Sequence, residues 1–90
     1  MDAKEAVALA KQHVQELFAS ENILNLGLEE LEFDKTHRVW QITLGFSRPW
    51  DVYNGTPLIE RNPARTYKRI FVSDADKRIL SVKNRDVAET

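Results

Sequence analysis

The chain has 90 residues, 42% hydrophobic and 30% charged, with no cysteine. That length supports one domain over residues 1–90, and the apolar share excludes a disordered tail or a collagen-like fibre. The missing thiols exclude a disulfide framework, a thiolate metal site and a cysteine nucleophile, and a net charge of -1 gives no global field for nucleic acid or an anionic membrane.

Met1-Asp2-Ala3-Lys4-Glu5 carries both signs of charge and leads into no apolar run, so no secretory signal is read there. No window reaches the roughly 20 apolar residues that span a bilayer. The expectation is a cytoplasmic protein with no membrane partner.

Ala3, Ala6, Val7, Ala10, Val14, Leu17 and Phe18 recur at spacings of three and four, which predicts an amphipathic helix over about Ala3 to Ala19. Asp2 followed by Glu5 has the form of a capping box. Ser20-Glu21-Asn22 ends the helix, and Ile23 to Leu28 reads as a short connector packed beneath it. Leu31 and Phe33 alternate with Glu30, Glu32 and Asp34, predicting a first strand over Glu29–Asp34. After a polar turn at Lys35-Thr36-His37, the run Arg38–Ser47 alternates cleanly, with Trp40, Ile42, Leu44 and Phe46 on one face. Trp40 belongs to the core on this reading. Two more strands are predicted over Thr66–Ser73 and Arg78–Lys83, joined by the turn Asp74-Ala75-Asp76-Lys77. Residues 85–90 have little to bury and are expected to fray. The order is one helix followed by two hairpins. It predicts an α+β fold with one N-terminal helix packed on a curved four-stranded antiparallel sheet.

Residues 47–65 break the pattern, holding all three prolines with Trp50 and Tyr53. A connection of that length exceeds the roughly 4–6 residues typical of compact domains. It is read either as a binding surface or as a lid on the core.

The leading helix, Val39-Trp40-Gln41-Ile42, and the run Tyr67-Lys68-Arg69-Ile70-Phe71-Val72-Ser73-Asp74-Ala75-Asp76-Lys77-Arg78-Ile79-Leu80-Ser81-Val82 resemble the PepSY-type domain. The likeness covers most of the chain in order. It departs at Lys77, where many such domains have glycine, in the long middle loop, and in lacking a secretory signal. The resemblance implies a helix on a cystatin-like sheet and a binding or inhibitory module without catalytic residues.

The residues themselves offer no catalytic constellation. His13 has only Glu16 at metal-ligand spacing, and His37 falls in a turn. Asp74 and Asp76 lack the calcium-loop pattern, Gly45-Phe46-Ser47 is not a nucleophile elbow, and the glycines are scattered singly. No enzyme, metal or cofactor is expected. Charge is divided unevenly, with four basic and eight acidic residues in 1–45 against nine and six in 46–90. Basic groups interleaved with Trp50, Tyr53, Tyr67 and Phe71 suit single-stranded nucleic acid, although a pI of 6.1 weighs against it. A ligand pocket between helix and sheet is a further alternative, with Gln41 and Thr43 the nearest polar candidates. The reading carried forward is a non-catalytic interaction or regulatory module, contacting an unknown protein or a second copy of itself. Its contact surface is expected at Arg48, Trp50, Tyr53, Leu58 and Ile59 of the loop, with Tyr67, Arg69 and Phe71 on the open sheet face.

Overall fold

A computed structural model describes residues 1–49 and 65–85. The chain runs as α1 (Ala3–Leu17), a short 3-10 turn (Ala19–Glu21), β1 (Leu24–Asp34), β2 (Val39–Ser47), β3 (Thr66–Ser73) and β4 (Arg78–Asn84). The strands form one antiparallel sheet in the order β1-β2-β3-β4. This is the α+β arrangement expected, with the helix on one face of an open sheet. No helix among the described residues is long and apolar enough to cross a membrane.

The helix begins as its sequence dictates. Asp2 Oδ1 accepts the Glu5 amide at 2.8 Å, satisfying a donor that the first turn leaves unpaired. Ala6, Ala10 and Val14 are fully buried, and the small alanines let the helix backbone approach the sheet. Phe18 leaves the helix, and its ring tilts onto Phe46 at 5.3 Å between centroids. Leu17, expected on the apolar stripe, is instead more than half exposed, because the helix stops there and the chain turns Phe18 inward. Ile42, Leu44 and Phe46 of β2 with Ile70 and Val72 of β3 complete the core. Trp40 is only partly buried, packed on Phe33 at 4.7 Å and donating its ring N–H to Asp74 at 3.1 Å. It borders the core.

The expected connector over Ile23–Leu28 is not one. β1 starts at Leu24, five positions before the predicted start, and only Ile23 and Leu26 of that stretch pack against the core. The reason is two irregularities of register in β1, one between Leu24 and Gly27 and one between Leu28 and Glu30. At the second, Glu29 is the extra residue, so Leu28 and Leu31 face the helix side although three positions apart. β4 repeats the device: Leu80 is extra, and Ile79 and Val82 both pair with helix-side residues of β3.

Both hairpin turns end on a left-handed residue, Arg38 at φ 56 and Lys77 at φ 55. The first turn is held by Asp34, which accepts the Thr36 and His37 amides. The second is held by Ser73, whose carbonyl accepts the Lys77 amide and whose hydroxyl accepts that of Asp76.

Candidate functional site

The face of the sheet turned away from α1 carries the polar groups. Alternation along β2 puts Gln41, Thr43 and Gly45 there, and pairing with β3 sets Phe71, Arg69 and Tyr67 opposite them in turn. Glu30 and Glu32 of β1 stand across Thr43 and Gln41, and Lys83 and Ser81 of β4 stand beside Arg69 and Phe71. A groove of about 390 Å³ opens between Glu30, Glu32, Gln41, Thr43 and Arg69. A second hollow of about 260 Å³ continues it past Tyr67 and Arg85, sharing Glu30 and Thr43 with the first.

The groove is bipolar, acidic on the β1 wall and basic on the other. Arg85 reaches back across the face to form a two-pronged pair with Glu30, at 3.0 and 3.1 Å. Thr43, nearly buried, donates to the same carboxylate at 3.0 Å. Arg85 chiefly, and Thr43 next, hold the Glu30 carboxyl below its ordinary value, and Glu30 in turn raises Arg85. Arg65 pairs with Glu29 at 3.3 Å directly over Gly45. Between these pairs Arg69 is half-buried and has no ion-pair partner among the described residues, and Glu32 on the opposite wall likewise has none. The Lys83 ammonium lies 5.4 Å over the Phe71 ring, which leaves Arg69 the central cation of the face.

Tyr67, Arg69 and Phe71 therefore come together as the sequence suggests. Arg48 does not join them. It lies on the helix side, 5.9 and 5.3 Å over the rings of Phe18 and Phe46, bonded to Glu21 and to Thr66 Oγ1 at 2.6 Å. Trp50, Tyr53, Leu58 and Ile59 lie outside the described residues. The space between helix and sheet is filled by the core, and Gln41 and Thr43 face away from it. The polar cavity is on the opposite side of the sheet. The described cations of the second half do not share one face: Lys68 lies over Phe18 on the helix side, Arg69 and Lys83 on the other.

Sequence reasoning missed Glu29, Glu30, Arg65 and Arg85. Their signal is weak, because 55 positions separate Glu30 from Arg85. His37 bonds Asp34 at 2.9 Å, a partner three positions before it rather than after. Among the described residues no three His, Cys, Asp or Glu side chains are grouped to hold a metal ion. No family model, curated protein or solved structure matches the chain.

Proposed function

We propose that this domain is a non-catalytic interaction module that binds a carboxylate-bearing segment of another protein on the open sheet face. The observation that carries the reading is Arg69, half-buried at the centre of that face between Tyr67 and Phe71, with no direct ion pair among the described residues, although its charge helps to lower Glu30. A guanidinium beside aromatic rings is the combination enriched in interface anchors, where a planar donor fork meets a carboxylate in two places. The neighbouring arginines, Arg65 and Arg85, are already engaged with Glu29 and Glu30. The resemblance to PepSY-type domains leans the same way, toward binding rather than catalysis.

The test compares Arg69→Ala and Phe71→Ala with Arg48→Ala. The first two are expected to keep a melting temperature close to the parent while losing a crosslinked partner captured from native lysate. Arg48→Ala is expected to keep that partner and melt earlier. If Arg69→Ala and Phe71→Ala both retain the partner, the open face is not the contact surface.

A second reading is a small polar ligand held in the groove itself, favoured by the unpaired Arg69 and Glu32 on its opposite walls. A zwitterion would satisfy both charges. A thermal-shift screen of amino acids and short peptides tests it, and a shift that survives Arg69→Ala would count against it.

A further inference from the structure

A second surface, on the other side of the sheet, is independent of the open-face reading. α1 packs on β2, β3 and β4, and β1 continues past it as the edge strand. Leu28 and Leu31, brought to one side by the bulge at Glu29, are consequently 43% and 40% exposed. With Ala3, Val7 and Ala8 of the helix they line an apolar groove of about 430 Å³. Lys4 and Lys11 form its rim, seven positions apart and so about 10 Å along the helix. Neither lysine has an ion-pair partner among the described residues. The outer edge of β1 has no partner strand among the described residues either, so its backbone donors and acceptors on that side face outward.

We propose that this groove receives an extended peptide segment, added as a strand along the outer edge of β1. One side of that segment carries apolar and acidic residues toward α1, and the other carries basic residues toward the open face. Strand addition gives backbone hydrogen bonds, and alternate side chains give selectivity. Apolar side chains on the helix side cover Leu28, Leu31 and Val7, and carboxylates there meet Lys4 and Lys11. On the reverse side the segment runs beside Glu32, which has no ion pair among the described residues and which a basic side chain complements, Glu30 being held by Arg85. Charge also argues against a second copy of β1 as the occupant. A second copy of β1 presents Leu28, Leu31 and Phe33 on its helix side and no carboxylate there to meet Lys4 and Lys11.

A fluorescein-labelled peptide of about nine residues, alternating lysine with valine or glutamate, is the probe, and anisotropy is the readout. A control peptide replaces the glutamates by lysine. The parent protein is expected to bind the probe saturably and the control more weakly. The double variant Lys4→Glu, Lys11→Glu is expected to lose about tenfold in affinity for the probe and to gain for the control. Leu31→Ser is expected to weaken both, with circular dichroism unchanged for each variant. Absence of saturable binding, or a double variant that binds the probe as the parent does, overturns the proposal. So does sedimentation of the free protein as a dimer that Leu31→Ser dissociates, which would make a second copy the occupant.

Discussion

Lys77 holds its backbone at φ 55, a conformation that puts an L residue's Cβ against the following carbonyl and costs about 1–2 kcal/mol. Its ammonium meets Glu5 only at 3.9 Å in an exposed position, so little is lost with the side chain. Lys77→Gly is therefore expected to stabilise the domain by about 0.5–1 kcal/mol, after the extra entropy of an unfolded glycine is subtracted. Urea unfolding at neutral pH measures it, and a lower midpoint would show that the lysine has a role beyond the turn. Arg38 shares the conformation at φ 56 but bonds Asp74 at 2.9 Å, so the same substitution there removes a cross-hairpin contact. Gly45 is the opposite case. A Cβ at that position would stand 2.9 Å from Arg65 Nη2 and 3.0 Å from both Glu29 Oε2 and Tyr67 Cε1. Gly45→Ala is expected to cost about 1 kcal/mol and to push the Arg65–Glu29 pair off the face. The turn at Asp74–Lys77 was legible in the sequence. The close approach over Gly45 was not, because it depends on side chains 16 positions before and 20 after.

At the scale of elements, what could be read tracks regularity. β2 shows strict alternation with four large apolar residues, and its bounds differ from the expected ones by a single residue. β3 matches throughout, with Ile70 and Val72 buried and Tyr67, Arg69 and Phe71 on the reverse face. β1 fails at its start because the extra residue at Glu29 shifts the period, so Leu28 falls out of phase with Leu31 and Phe33. A period-two reading starts the strand only after the bulge. The same irregularity makes the α1–β1 groove, so the part of the fold hardest to read is the part that presents a surface. Arg48 shows a related difficulty. In sequence it belongs to the proline-bearing stretch, but it closes the end of the core between Phe18, Phe46 and Glu21. Its guanidinium packs there and its side chain is mostly buried, so Arg48→Ala is expected to cost about 1–2 kcal/mol, read as a fall in melting temperature. A neutral result would return Arg48 to the binding surface.

Across the whole molecule, carboxylates join segments that are distant in the chain. Asp74, in the second turn, accepts the Trp40 indole N–H at 3.1 Å and the Arg38 guanidinium at 2.9 Å, and its amide donates to the Arg38 carbonyl. Glu30 ties β1 to Arg85 beyond β4, whereas Asp34 acts locally, holding the first turn through His37 three positions on. Each is shifted below its ordinary value: Asp74 chiefly by the Trp40 bond, Glu30 by the Arg85 bond and Asp34 by the His37 side chain. A carboxyl with a depressed folded value binds its proton more weakly in the native state than in the unfolded one. Its contribution is complete above the ordinary value, which is 4.5 for Glu30 and 3.8 for both aspartates. It is lost as the pH falls through the lower, folded value. Three groups with the same sign make stability fall on acidification through this window, with little change from these groups at neutral pH. Urea midpoints between about pH 7 and pH 2 measure the slope. Asp74→Asn keeps an oxygen for the Trp40 bond while removing the titrating charge opposite Arg38. It is expected to lower stability at neutral pH and to flatten the acid limb, so that parent and variant converge at the lowest pH. A variant curve parallel to the parent throughout would mean that Asp74 joins the hairpins by geometry alone, with the acid dependence arising at Glu30 and Asp34.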